Sequence, residues 1–189
     1  MTADSHDLAT DAGVALAKPD VQAYMDQGYS IDLWASPPCK AWSKWNIFDS
    51  FRLGRKFRAK LQLMQDESVA MIMNFIELAK LVGASPGNTV SFEWPSYCAG
   101  WPIEPLAEFF ETSGFEFAKC HGCSMGLVGG SGGLIKKPWT VATNNNTLFA
   151  NMSKRRCDGK HKHCPCAGRD TSKTELCTEQ FADIVIESL

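Results

Sequence analysis

Cys39 follows Pro37 and Pro38 directly, at the exit of the apolar run SIDLWAS (30–36). Prolines ahead of a thiol restrict the backbone and aim the side chain. Glu93 stands near the end of the run TVSFEW (89–94), just before Pro95. A thiol and a carboxylic acid at the ends of successive strands are a nucleophile and an acid–base group. Each also has a plainer reading: free cysteine is among the most buried residue types, and a charged residue can end a strand without any function. A second chemical group is the segment CDGKHKHCPC (157–166). Structural zinc takes four Cys or His ligands in a tetrahedron. Cys157, His161 and His163 form the expected core of such a site, with a fourth ligand from Cys123, Cys164 or Cys166. Cys120 and His121 could contribute across space. A zinc deaminase would need a His-x-Glu and a Pro-Cys-x-x-Cys pattern, which this chain lacks.

The elements that must position these groups follow from periodicity and punctuation. Residues 1–18 read as a polar, flexible lead. PDVQAYMDQG (19–28) reads as a short helix with Pro19 at its start and Gly28 at its end. From Leu61 to Val82 apolar residues recur at helical spacing and predict a long amphipathic helix. Further strands are predicted at 89–94, 115–122 and 137–144. Helices are predicted at 103–114, 147–152 and 174–189, and a loop with five glycines at 126–134. Alternation of strands and helices predicts an α/β fold with a mostly parallel sheet. Ligands in such sheets bind beyond the carboxyl ends of the strands, where Cys39 and Glu93 are placed.

Bulk properties narrow the function classes. The chain has 189 residues and a net charge of −2, so it carries no global field for nucleic acid, and any such binding must come from local patches. No apolar run reaches the roughly 18 residues of a membrane span. MTADSHDLATDAG lacks the basic and apolar regions of a secretory signal. The eight cysteines are therefore expected as reduced thiols and metal ligands in an intracellular, cytoplasmic protein.

SPPC after one strand and FEWP after the next together resemble the cytosine-5 DNA methyltransferase family. With FEWPSYCAGW, GCSMGL, KKPWTVATN and CDGKHKHC, the chain looks most similar to divergent sequences of that kind from phages and mobile elements. The resemblance covers roughly residues 20–189, and a phage source would put the protein in the cytoplasm of an infected host cell. It implies a Rossmann-like methyltransferase sheet. It also implies Cys39 as the nucleophile at cytosine C6 and Glu93 as the partner of ring N3, with Pro37 and Pro38 beside the cofactor, S-adenosylmethionine. The strand end reads Glu93-Trp94-Pro95 where the family commonly has Glu-Asn-Val.

The same resemblance makes residues 40–60 the loop that closes on DNA. Trp42, Ser43, Arg52, Arg55, Lys56 and Arg58 are its expected nucleic-acid contacts, and Trp45 and Phe48 could fill space near a flipped base. Lys136 and Lys137 stand where the family carries an arginine-rich segment. A solvated basic face is the alternative reading of these cations.

Family members open with a strand and a Gly-rich turn that holds the cofactor, and nothing before Ser30 supplies one. The resemblance thus implies a sheet truncated in its N-terminal half: a lead (1–18), the catalytic half (19–156), and a Cys/His-rich segment with a terminal helix (157–189). The cofactor is then expected to bind only with a second chain that supplies the missing half. The expected substrate is DNA, with single strands or RNA left open. The alternative is a catalytically silent, zinc-stabilised module that binds nucleic acid or a partner.

Overall fold

The computed structural model describes residues 6–189, which divide into two compact units. The first comprises the chain up to Phe92 together with Tyr97–Gly114. The second comprises Glu93–Ser96 and Phe115–Leu189. The expected lead lies partly outside the described residues, at positions 1–5.

In the first unit, helix α1 (Asp11–Asp26) precedes strand β1 (Asp32–Ala35). A 3-10 turn (Lys40–Trp42), α2 (Lys44–Arg52), α3 (Arg55–Gly83), β2 (Thr89–Pro95) and α4 (Glu104–Thr112) follow. β1 and β2 run parallel, with Asp32 opposite Thr89 and Ala35 opposite Phe92. The crossover between them is long and helical, as a parallel pair requires. Phe75 of α3, Phe92 of β2, Trp101, and Phe109 and Phe110 of α4 form a chain of tilted and edge-on ring contacts 5.1–6.1 Å apart. Val14 and Ala17 of α1 pack on Leu78 of α3, with Leu33 of β1 against them.

α1 differs from the expected lead. It starts at Asp11, because the Thr10 hydroxyl accepts from the Gly13 N–H and caps the first turn. Pro19 is therefore inside the helix rather than at its start. The apolar positions Val14 and Ala17, both buried, hold the turns before it.

The second unit begins with the last residues of β2. Ser96 N–H donates to the Pro138 carbonyl, and the Ser96 and Thr140 hydroxyls bond at 2.8 Å. β4 (Pro138–Thr143) pairs antiparallel with β3 (Glu116–His121). The strand order is thus β1-β2-β4-β3, a four-stranded mixed sheet in an α/β fold. The sheet is not purely parallel: β1 and β2 run parallel, whereas β3 and β4 run antiparallel. Residues 122–137, which join β3 to β4, contain a 3-10 turn (Gly122–Met125) and a Gly-rich loop but no crossover helix. Without a crossover the second strand returns antiparallel. Helix α5 (Asn146–Ser153) packs on β3 and β4, and Phe181 of α7 (Glu179–Ile186) meets Trp139 edge-on at 5.3 Å. Of the helix expected over 174–189, α7 forms with Thr178 as its cap at Phe181 N–H, and a separate short helix, α6 (Arg169–Lys173), precedes it.

Candidate functional site

Cys39 lies at the start of the 3-10 turn, four residues beyond Ala35, and is half-buried. Several bonds within the first unit fix this turn. Trp42 N–H donates to the Cys39 carbonyl at 3.0 Å, and Trp42 Nε1 donates to Ser68 Oγ on α3 at 2.8 Å. The Trp42 carbonyl accepts from Ala99 N–H at 3.0 Å, and Gln65 Nε2 donates to the Ala41 carbonyl. Asn46 Nδ2 reaches the Lys40 carbonyl at 2.8 Å. The thiol is thus carried by a held turn. Residues 40–60, expected as a loop, are mostly helical. Ser43 acts as the N-cap of α2, its Oγ accepting from Asn46 N–H at 3.1 Å. Trp42 anchors the turn through its indole, while Trp45 and Phe48 are open to solvent.

Glu93 follows Phe92 directly and is 5% exposed. Within the second unit its charge raises the pKa of two thiols. The Cys120 thiol is pushed up to about 12, first by burial and then by Glu93. The Cys177 thiol is pushed up to about 11 by the same two causes in the same order. Neither thiol was singled out by sequence reading as a neighbour of Glu93. Residues 93, 120 and 177 are too far apart in sequence to signal it.

A pocket of about 220 Å³ lies within the first unit, between the end of β1 and α3. Pro37 lines it, together with Leu33, Trp34, Met71, Phe75 and Leu78; Pro38 does not. None of its lining residues is a glycine or carries a carboxylate. S-adenosylmethionine needs close backbone approach for its amino-acid end and an acidic acceptor for its ribose hydroxyls. The residues around this pocket do not fit that group.

The Cys/His segment comes together with the β3–β4 connection. The ligand atoms of Cys123, Cys157, His161 and His163 all lie within 4.8 Å of one another and could hold a metal ion. Cys157 Sγ is 3.4 Å from His163 Nε2 and 3.7 Å from His161 Nε2. A tetrahedral zinc with sulfur at about 2.3 Å and nitrogen at about 2.0 Å sets its ligands roughly 3.3–3.8 Å apart, so the donor set and spacing fit. The second layer is in place. Asp158 Oδ1 is 3.4 Å from His161 Nδ1, the carboxylate-to-imidazole contact that orients a ligating ring. Gly159 N–H donates to Cys157 Sγ at 3.3 Å, in a turn that needs glycine for its φ of +75°. Cys157 N–H donates to His121 Nδ1 at 2.9 Å. His121 supports the site in this way. Asp158 was missed, although its i, i+3 spacing to His161 offered a signal, and His121, expected as a possible ligand, instead accepts from Cys157 N–H.

Titration in the cluster follows from crowding. Burial, then the neighbouring Cys157 thiol, pushes Cys123 up to about 11. Loss of hydration, then His161 and Lys136, holds His163 below its ordinary value. A neutral imidazole is the ligating form, while Cys123 waits for a cation to draw off its proton. Comparison with known proteins returns no matching family profile, curated protein or solved structure.

The remaining expected contacts are dispersed. Cys164 Sγ sits 3.5 Å from Ser131 Oγ, and Cys166 Sγ sits 3.3 Å from Thr174 Oγ1. Both are outside the four-residue cluster. Lys137 donates to the Thr174 carbonyl and lies over the Trp139 ring, while Lys136 is exposed. Arg52 pairs with Asp49 at 3.1 Å. Arg55, Lys56 and Arg58 are exposed at the start of α3. Among the described residues no helix is long and apolar enough to cross a membrane.

Proposed function

We propose that the chain acts on cytosine in nucleic acid as a cytosine-5 methyltransferase-like protein. The observation that carries this reading is the register of the parallel pair. Ala35, the last residue of β1, faces Phe92, so Pro37-Pro38-Cys39 follow β1 from the rung at which β2 runs on through Glu93 to Pro95. Parallel strands present ligands beyond such carboxyl ends. In this scheme the Cys39 thiolate bonds to C6 of cytosine, and the C5=C6 electron pair moves to C5. The Glu93 acid donates at ring N3 and offsets the charge that develops there. The held turn behind Cys39 keeps the thiol in place. The pocket beside Pro37 does not fit S-adenosylmethionine, and the addition at C6 needs no methyl donor. A further segment or a second chain supplies that half in this reading.

The addition is reversible, so it has a signature that needs no methyl donor: hydrogen at C5 exchanges with water. Oligonucleotides carrying tritium at cytosine C5 are the test, and wild type is expected to release tritium. Cys39→Ser should release none, and Glu93→Gln should be slower by about 10²-fold or more, the usual scale of acid assistance. Equal release by Cys39→Ser would defeat the assignment. A catalytically silent binding module is the second reading, favoured by the same unfitted pocket. It stands if wild type releases no tritium from any strand.

The metal reading is finer than a generic ion: zinc held by Cys123, Cys157, His161 and His163 as a structural site. The closed four-ligand set supports it, since catalytic zinc sites keep one position open. Metal analysis should give about one zinc per chain, and chelation should lower the melting temperature because site and fold form together. Cys164→Ser should keep the metal and Cys123→Ser should lose it. A metal-free chain with unchanged melting after chelation would overturn this reading.

A further inference from the structure

The aromatic side of α2 has no structural task. Trp45, Phe48 and Phe51 are 78%, 58% and 77% exposed. Their three-residue spacing puts them on one helical face, since positions i and i+3 are neighbours on a helix. The opposite side does the packing: Ser50 is buried, Ile47 is half-buried, and the helix lies against α3 and the Cys39 turn. Three large aromatic rings in a row on a nine-residue helix form an exposed apolar patch of the kind that marks an interaction site.

The charge around this patch selects its occupant. Residues 40–60 hold seven Lys or Arg and one Asp, a net of +6 inside a chain whose total is −2. Asp49, the one acid, is already engaged by Arg52. Arg55, Lys56, Arg58 and Lys60 continue the cationic run along the first turns of α3. Aromatic faces beside a basic track are the composition of a surface that stacks bases and follows phosphates. A duplex hides its base faces in the stack, so only an unpaired strand can use rings presented this way.

We infer that the face of Trp45, Phe48 and Phe51 on α2 is a stacking platform for single-stranded nucleic acid, with Arg55, Lys56 and Arg58 on its phosphates. Binding itself needs nothing from the Cys39 chemistry. The functional sense of it rests on the cytosine reading: α2 starts five residues after Cys39, so a strand lying along α2 runs toward the thiol. The substrate class is then an unpaired strand, whose cytosine needs no extraction from a duplex.

Fluorescence anisotropy with a labelled oligo-dT tests this, since a strand without cytosine separates binding from chemistry. Wild type should bind oligo-dT more tightly than a duplex of equal length, and affinity should fall steeply with salt. Trp45→Ala is expected to weaken binding by roughly five- to a hundredfold, the usual range for one stacked base. Trp45→Phe should recover most of it, and Phe51→Ala should act like Trp45→Ala. Arg55→Gln should reduce the salt slope while keeping the preference for single strands. All three positions are exposed, and unchanged melting curves would confirm that the variants fold. Unweakened binding by the Trp45→Ala, Phe51→Ala double variant would overturn the inference. So would equal affinity for duplex, or capture by phosphatidylserine vesicles with no oligo-dT binding. Tight oligo-dT binding with no tritium release would uphold the platform while sinking the cytosine reading.

Discussion

Trp42 and Ser68 show how one bond can hold the turn that carries Cys39. Ser68 is 2% exposed, and its Oγ accepts from the indole N–H. Trp42 itself is only half-buried. The two ends of this bond therefore differ in what their loss leaves behind. Trp42→Phe strands a buried hydroxyl, which costs about 1–3 kcal/mol. Ser68→Ala leaves an indole that can turn to water, and should cost about 1 kcal/mol or less. Denaturant unfolding of both variants checks the ranking. Tritium release from cytosine C5 should drop in Trp42→Phe by more than the folded fraction does, because the turn that carries Cys39 loses its tie to α3. At this scale the sequence pointed to the candidate groups but not to their support. Cys39, Glu93 and three of the four metal ligands stood out through their residue types and neighbours in the chain. Ser68 and Cys177 act across the fold, and nothing in their local sequence announces it; His121 was expected near the metal site as a ligand but serves as the acceptor of Cys157 N–H.

At the scale of elements, periodicity was informative where one face is buried and misleading where a single residue dominated. The long helix was read from Leu61 because its apolar repeat starts there. α3 begins at Arg55, since the basic residues of its first turns are good helix formers with no buried face to reveal them. Pro19 suggested a helix start, yet α1 continues through it. The helix then lacks a donor for the Ala15 carbonyl, and the ring crowds that turn, at about 3 kcal/mol in a helix interior. Pro19→Ala should restore the bond and lose the proline's restriction of the unfolded chain, worth about 0.4–1 kcal/mol. The balance predicts stabilisation by about 2–2.6 kcal/mol, read as a higher melting temperature. An unchanged or lower value would mean that Pro19 itself helps fit α1 to α3. The reversed strand β4 was legible in principle, because the 16 residues from Gly122 to Lys137 hold too little helix for a crossover.

Across the whole molecule, charge and thiols are distributed unevenly, and the thiols give the protein a pH dependence. Cys120 is fully buried and its pKa rises from 9.0 to about 12. Cys177 rises from 9.0 to about 11. For Cys120 burial is the larger cause and the Glu93 charge the second. Cys177 is an exposed residue, so solvent screens its share, and the folded chain keeps chiefly the Cys120 proton that the unfolded chain releases. Between these values the native state binds more protons than the unfolded state, and stability must fall as pH rises. The contribution is complete below about pH 9 and is lost progressively toward pH 11–12. Melting temperatures measured from pH 7 to 11 should therefore be level at first and decline beyond about pH 9. Cys120→Ala should start lower, because it opens space in a packed interior, and should decline less steeply. Glu93→Gln should also flatten the slope, since it removes the second cause from both thiols at once. A wild-type decline that both variants reproduce in full would show that other groups control alkaline unfolding, and would remove the thiol–carboxylate coupling from this account.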